Sequence, residues 1–416
     1  MLGFRLAVGA AYLQARRRRF GSRDELLAWQ QARLRGVLQR AGRRFPYYRT
    51  VGSDDLASYP IIDKAEFLDH FAELNQLGLP LQDCLDAARK AEAERRFDTT
   101  LQGVSVGLSS GTSGRQGVFL TSPSERARWA GTMLAKALPD GLRRGTRVAL
   151  VLRAGGPLYA AVEGPVAFRF LDLYAPLDQL TAELEAFRPT ILAAPPGVLD
   201  LLADRLRARP GSVYSIADVL DPDVAQRVER GFGVPVGQIY QATEGFLGIT
   251  CRRGRVHLNE DLAVIEEDPV APGRFSPIIT DLYRQTQAII RYRLSDVLVE
   301  GVPCGCGSPL RSIERIEGRA DDVLRLHRTD GTPTPVFADL IRGAVLGVPG
   351  VRDFTATQDA EDRIVLTVDP AQRWDAAAAA LVEALRRSGL VAPTIVREPY
   401  VTPDPTAKRR RVSRTW

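Results

Sequence analysis

The chain reads as an α/β protein. Its large N-terminal domain spans residues 1–317, with a helical lead-in to about residue 100 and mixed parallel sheets and helices after it. A small α+β domain follows over residues 318–416. Three observations predict this. Short β-rich runs at 148–152, 191–194 and 234–240 alternate with helical patterns at 122–138 and 197–208, the order of a sheet built from right-handed crossovers. After Gly318 the pattern starts again, with enough elements for a second core. The length of 416 residues also calls for two or three folded units rather than one.

Taken in order, residues 6–13 are an apolar stretch followed by Arg16, Arg17, Arg18 and Arg19. A secretory signal carries its charge before the apolar run, and eight residues fall far short of the ~20 needed to span a bilayer. The stretch predicts a helix packed on the protein body with a solvated arginine end; a membrane-surface or partner helix is the other reading. Residues 20–50 set Leu26, Leu27, Gln30, Leu34, Val37 and Leu38 at helical spacing and stop near Pro46, an amphipathic helix. An extended Pro60-Ile61-Ile62 leads into a second helical region at 64–97. The stretch 255–315 reads as shorter strands with antiparallel character. In the last domain a helix is expected at 337–345, a strand at 363–368, a helix at 376–387 and a strand at 394–397.

Composition narrows the class. Hydrophobic residues make up 45% and charged residues 25%, an ordinary globular balance. The net charge of +6 sits in local runs near the two ends, which is not the footprint of a dedicated nucleic-acid binder. Four cysteines cannot build a disulfide scaffold in so long a chain, so a reducing cytoplasm is expected and the thiols are ligands or core residues.

The chemistry concentrates in four segments. Residues 109–117 pack three glycines and four hydroxyl residues directly behind a β-like stretch; Ser110, Gly111, Thr112, Ser113 and Gly114 form a loop suited to polyphosphate, because glycine lets backbone N–H groups approach an anion. No Walker pattern is present, and by composition alone a plain surface turn is an equal reading. Three further segments follow in order: Tyr240-Gln241-Ala242-Thr243-Glu244-Gly245, Ile290-Arg291-Tyr292-Arg293-Leu294-Ser295-Asp296, and Gly318-Arg319-Ala320-Asp321-Asp322.

Together the four segments resemble the core motifs of the adenylate-forming (acyl-AMP) superfamily, in particular the phenylacetate-coenzyme A ligase branch and its CoF synthetase-like putative adenylate-forming enzymes. The resemblance covers about residues 25–416. It implies an ATP- and Mg²⁺-dependent ligase in which a carboxylate oxygen attacks the α-phosphorus of ATP, giving acyl-AMP and pyrophosphate, before the acyl group passes to a thiol, coenzyme A being favoured. Positioning and charge neutralisation dominate such chemistry. By resemblance, Thr112 and Ser113 with the amides of residues 111–114 hold the β- and γ-phosphates, Glu244 binds Mg²⁺, Thr243 contacts the α-phosphate, Asp296 accepts the ribose hydroxyls, Arg319 adds a second clamp and Tyr240 stacks on adenine. Each has a duller reading: Glu244 as a turn residue, Asp296 paired with Arg291 or Arg293, Tyr240 as a strand-end core aromatic.

Lys408 stands where the family carries a C-terminal lysine that bridges carboxylate and α-phosphate; a solvated basic tail is the alternative. Asp321 and Asp322 match the family's hinge. The chain departs from the family pattern at Gln241 and Ser295, where glycine is common, and at Gly117, where many relatives carry lysine. Gln241 puts phenylacetate itself in doubt as substrate, and Arg115 is the candidate replacement for the missing cation.

Cys251 and His257 form one short pair, and Cys304 and Cys306 another, flanked by Gly305 and Gly307. Three cysteines with one histidine are a common closed zinc set, although C-x-C is tighter than the usual spacing. Partly buried thiols around a hairpin are the other reading. Some relatives in the resembled branch bind zinc at matching places, which favours a structural Zn²⁺. Cys84, His70 and His327 read as structural. The expected partners are a small carboxylic acid, of which an aryl acid is favoured by resemblance only, and coenzyme A or an acyl carrier protein, with no nucleic acid and no membrane segment. Homodimers are common among the resembled ligases. An adenylating enzyme that delivers to an amine, hydroxyl or carrier thiol, and a non-catalytic binding protein of the same fold, are the competing functions.

Overall fold

In the computed structural model, residues 2–96, 99–108, 116–138, 140–153, 155, 166–404 and 410–416 are described. They form two compact units. The first comprises Met1–Asp268, Pro277–Leu294 and Glu300–Glu314; the second comprises Pro269–Ser276, Ser295–Val299 and Arg315–Trp416 and so draws in two short segments from before residue 317.

The first unit opens with helix Leu2–Arg17, which lies against helix Pro123–Ala137. Gly131 permits that approach, since a Cβ there would stand 2.5 Å from the Val8 carbonyl oxygen. Val8 is buried and the Arg16 guanidinium donates to the Leu138 carbonyl at 3.3 Å, so the apolar stretch packs on the body. No described helix is long and apolar enough to cross a membrane.

Helix Arg23–Arg44 starts at Ser22, whose hydroxyl accepts the Glu25 N–H, and buries Leu26, Gln30, Val37, Leu38 and Ala41. Gln30 belongs on that apolar face because its amide donates to the carbonyls of Glu260 at 2.7 Å and Ala263 at 3.1 Å. The region 64–97 expected as helix is two helices, Lys64–Asp69 and Leu81–Ala93. Between them the buried Asn75 side chain donates to the Phe71 and Leu79 carbonyls and accepts from the N–H groups of Leu77 and Leu79. One polar side chain thus satisfies a turn that hydrophobic periodicity alone runs straight through.

Strands β1 (Thr100–Leu101), β2 (Val104–Leu108) and β3 (Val118–Thr121) make a small antiparallel sheet. The central sheet contains β4 (Arg147–Leu152), β5 (Ala167–Asp172), β6 (Ile191–Ala194), β7 (Ser212–Ser215) and β8 (Val236–Ala242), all parallel, in the order β5-β4-β6-β7-β8. Helices Leu177–Phe187, Pro196–Ala203 and Pro222–Phe232 lie between these strands in sequence and bury Leu184, Leu199, Leu202, Val228 and Phe232 against Val151, Leu192 and Val213. β8 then reverses into antiparallel β9 (Gly245–Thr250) and β10 (Val256–Leu258). The strand expected at 234–240 sits two residues later, because pairing with β9 carries it through Ala242.

The antiparallel character expected at 255–315 is present in β11 (Ala263–Ala271), β12 (Arg274–Asp281), β13 (Tyr292–Arg293), β14 (Asp296–Glu300) and β15 (Ser312–Arg319). Within the first unit the end of β12 pairs with β13, Ile279 opposite Tyr292, and β10 pairs with the start of β15.

In the second unit, the start of β12 pairs with β14 and β16 (Leu324–His327) forms a hairpin with β17 (Pro333–Val336). Four strands, β18 (Asp353–Ala360), β19 (Arg363–Asp369), β20 (Thr394–Arg397) and β21 (Val412–Arg414), order as β20-β19-β18-β21. Helices Ala338–Leu346 and Trp374–Arg387 close their core around Phe354, Ile364, Leu366, Leu381 and Leu385. The two expected helices and two expected strands are present; β18 and β21 complete the sheet.

Candidate active site and metal centre

Thr243 and Glu244 occupy the two-residue reversal between β8 and β9, where Ala242 pairs with Gly245. The Glu244 carboxyl accepts from the side chains of Thr243 and Tyr292, and the Arg284 charge acts on it. Burial outweighs these contacts and pushes its pKa above the usual carboxylate range. Arg284 also donates to the Thr243 carbonyl, which fixes the reversal from the opposite strand connection.

Asp281 stands beside this turn: its Oδ2 is 3.5 Å from where a Cβ on Gly245 would lie. Its Oδ1 accepts the N–H groups of Tyr283 at 2.6 Å and Arg284 at 2.7 Å. Burial raises its pKa too, and Glu125 adds to the effect. Two carboxyls at one turn, each held above its ordinary pKa by loss of hydration, are hard-oxygen donors whose negative charge the protein compensates only in part. That donor set fits a magnesium ion. Sequence reasoning missed Asp281 and Arg284. The signal was the Thr280-Asp281-Leu282 run ahead of Arg291-Tyr292, but nothing in its spacing says that β12 and β13 bring it to the β8–β9 reversal.

Tyr240 is buried at 6% exposure within β8. Asp296 opens β14 and Arg319 closes β15, both half-buried in the second unit. The Ala320 N–H donates to the Ser295 carbonyl at 2.6 Å, which sets the two segments side by side. One terminal nitrogen of Arg319 is buried with no hydrogen-bond partner among the described residues, a donor that a ribose hydroxyl or phosphate oxygen fits. The guanidiniums expected as alternative partners of Asp296 are engaged elsewhere: Arg291 grips Glu266 at 2.9 Å and Arg293 grips Asp268 at 2.9 Å. Asp322 pairs with Arg410 at 3.2 Å. The phosphate-loop candidates Ser110, Gly111, Thr112, Ser113 and Gly114, with Arg115, and the lysine candidate Lys408 lie outside the described residues.

The cysteine and histidine pairs meet. Cys251 follows β9, His257 lies in β10 between β9 and β15, and Cys304 and Cys306 come from the connection before β15. All four ligand atoms lie within 4.8 Å of one another. Cys251 Sγ is 3.7 Å from Cys304 Sγ, and Cys306 Sγ is 3.4 Å from His257 Nε2. A tetrahedron with Zn–S bonds of about 2.3 Å and Zn–N bonds of about 2.0 Å has edges of roughly 3.5–3.8 Å, which these separations match. His257 Nδ1–H donates to the Leu310 carbonyl at 2.8 Å, leaving Nε2 with the free lone pair a metal needs. The contacts of the Cys304 thiol with His257, Cys306 and Cys251 hold it below the ordinary thiol range, the direction a metal-binding thiolate needs. The chemistry and the geometry of the set fit zinc.

The remaining sulfur and imidazoles are structural. Cys84 is buried, and burial pushes its thiol up to about 11. His70 pairs with Glu73 at 3.1 Å and His327 with Glu361 at 3.6 Å.

Comparison with known proteins agrees with the motif reading. No family model matches the chain. Phenylacetate-coenzyme A ligase of Pseudomonas putida is 21% identical over 360 residues, covering 77% of this chain and 76% of the relative. The open conformation of 2-hydroxyisobutyryl-CoA ligase in complex with 2-HIB-AMP and CoA has a similar fold, with a TM-score of 0.62 and 19% identity over 92% of this chain and 90% of that one. The amide bond synthetase McbA from Marinactinospora thermotolerans superposes with a TM-score of 0.54 and 13% identity, over 75% and 68% of the two chains. The chain therefore has the fold of the adenylate-forming ligases, and the superfamily resemblance of its motifs is borne out at that level.

Proposed function

We propose that this chain is an ATP-dependent ligase that activates a small carboxylic acid as its acyl-AMP and passes the acyl group to the thiol of coenzyme A. The observation that carries the reading is the Thr243–Glu244 reversal, with a buried carboxyl at the turn, Asp281 beside it and Arg284 bracing it.

In this reading the acid's carboxylate oxygen forms a bond to the α-phosphorus and the bond to the pyrophosphate oxygen breaks. The protein contributes placement and charge. Thr243 presents its hydroxyl and its braced backbone to the α-phosphate. Glu244, with Asp281 near it, would hold Mg²⁺, which when bound neutralises phosphate charge. In the second unit Asp296 accepts ribose hydroxyls and the unpartnered nitrogen of Arg319 donates to ribose or phosphate. The residues 110–114 cradle the β- and γ-phosphates, and Lys408 offsets the repulsion between carboxylate and α-phosphate. Tyr240 serves the adenine from a largely buried position.

Coenzyme A is favoured as acceptor because the curated relative is a coenzyme A ligase and a structure of like fold holds CoA beside an acyl-AMP. Zinc at Cys251, His257, Cys304 and Cys306 has a structural part, stapling the turn after β9 to the connection before β15, since four protein ligands close the coordination sphere. Thiols kept for a metal fit the reducing cytoplasm.

The test is ATP–pyrophosphate exchange across a panel of aryl, hydroxy, fatty and amino acids, followed by a thiol-release assay with coenzyme A. Acid-stimulated exchange and coenzyme A-dependent AMP release are expected. Absence of exchange with every acid sinks the ligase reading, and exchange without thioester formation redirects the acyl group to an amine or hydroxyl.

A further inference from the structure

We infer that Arg18, Arg33 and Arg128 form an anion-binding site in the first unit, built to take a phosphate or carboxylate group of a reactant. The segment just after helix Leu2–Arg17 and the helices Arg23–Arg44 and Pro123–Ala137 deliver these residues to two aromatic rings. Arg18 stacks 4.7 Å from the Trp29 ring centre and 5.5 Å from that of Tyr283. Arg33 lies 4.4 Å from Tyr283 and 5.3 Å from Trp29, and Arg128 lies 4.8 Å from Tyr283. Stacking occupies the guanidinium faces and fixes their planes; one edge nitrogen of Arg18 is held by Asp261, and the N–H edges of Arg33 and Arg128 are left preorganised for contact with a planar or tetrahedral oxyanion.

The charges around these rings do not balance. Asp261 is committed to Arg18 at 3.3 Å and Lys136 at 2.8 Å. Arg33 and Arg128 have no ion-pair partner among the described residues. Asp281 acts on Arg128 through space, but its Oδ1 is taken by the Tyr283 and Arg284 amides. Further along the same helix face stand Arg40 and Arg44; Arg40 feels the charges of Arg44 and Arg33, and Arg44 reaches the Gln285 side chain at 3.1 Å. Arg18, Arg33 and Arg128 thus share these rings with Asp261 and Asp281, each of which also serves another cation, Lys136 or Arg284. Burial together with the charges of Arg33 and Arg18 works against the charged form of Arg128. Guanidinium does not lose its proton in proteins, so the free chain holds this repulsion in its folded state, and an anion relieves it. Arg33 Nε is buried with no hydrogen-bond partner among the described residues, and the Arg33 and Arg18 charges both act on the Tyr283 hydroxyl.

The cluster borders the proposed reaction site. Tyr283 is followed by Arg284, which donates to the Thr243 carbonyl, and Asp281 lies against Gly245. Resting on the proposed ligase function, the bound group belongs either to an acid with a second negative charge or to a phosphate of the thiol cosubstrate. A monocarboxylic acid with an apolar body does not use it.

Calorimetric titration of the full chain with inorganic phosphate at low salt, for the wild type and for Arg33→Gln and Arg128→Gln, tests the site. At least tenfold weaker phosphate binding in each variant is expected, with ATP binding unchanged and a melting temperature equal to or above wild type, because like-charge repulsion has been removed. Arg128→Lys keeps charge but not the planar fork and is expected in between. Two arms separate the sources. A loss of coenzyme A affinity that vanishes with 3′-dephospho-coenzyme A assigns the cosubstrate phosphate; a loss of exchange confined to dicarboxylic or phosphorylated acids assigns the acid. Equal phosphate affinity in wild type and both variants, or variants that melt lower and bind no worse, overturns the inference and leaves the ligase reading intact. Failure of all acids in the exchange assay would sink that reading and leave the phosphate measurement standing.

Discussion

The carboxylate of Glu125 accepts the backbone N–H groups of Gln285 at 2.7 Å and Thr286 at 3.0 Å, 160 residues away in sequence. The same side chain closes a capping box with Ser122 at the start of helix Pro123–Ala137. One acid therefore ties the helix to the connection that carries Asp281 and Arg284. Burial works to raise its pKa, and the N–H groups of Gln285, Thr286 and Ser122 with the Thr286 hydroxyl outweigh it and hold it below the usual value. Glu125→Ala should cost about 2–3 kcal/mol, read as a lowered denaturation midpoint. A carboxyl with a depressed folded pKa stabilises above its unfolded value, here 4.5, and loses that contribution as pH falls through the folded one. The stability gap between wild type and Glu125→Gln is expected to be full at neutral pH and to shrink below about pH 4.5.

Glu244 has the opposite sign. Its folded pKa is raised by burial, so it favours the fold at low pH and costs stability as pH rises through that value. Glu244→Gln should therefore fold as well as wild type or better at pH 8, while pyrophosphate exchange falls by roughly a hundredfold or more. A variant with unimpaired exchange would remove Glu244 from the reaction.

Metal analysis of protein purified without chelator should find one zinc per chain. Cys304→Ser is expected to lose it and to melt about 5 °C lower or more, and chelator should do the same to wild type and nothing further to the variant. Wild-type protein free of zinc, with an unchanged melting temperature after chelation, would leave the four residues as ordinary polar contacts.

In the second unit Asp353 accepts from the Tyr400 hydroxyl at 2.5 Å and from Arg411 Nε at 3.0 Å, so it holds the stretches before and after residues 405–409. Arg411 is 5% exposed. Asp353→Ala removes a carboxylate partner of that buried charge and should cost roughly 1–3 kcal/mol. Faster amide exchange in β18, β19 and β21 is the expected signature, with exchange in the first unit unaffected.

The sequence alone determined the parts whose signal is local. Periodicity located the amphipathic helix at 23–44 and the alternating strands and helices of the sheet, because burial of one face writes a repeat of 3.6 or 2 into the chain. The motif around Thr243 and Glu244 and the ordered Cys and His pairs were legible because each needs particular side chains at fixed short spacing. What the tertiary structure decided is every relationship between distant segments. The break at Asn75, the late end of β8 at Ala242, the bracing of Thr243 by Arg284, the approach of Asp281 to Gly245 and the stacking of Arg18, Arg33 and Arg128 on Trp29 and Tyr283 all depend on which strands pair and which helices touch. No local pattern encodes those partners, since a side chain's charge and shape are written in the sequence while what faces it is set by packing.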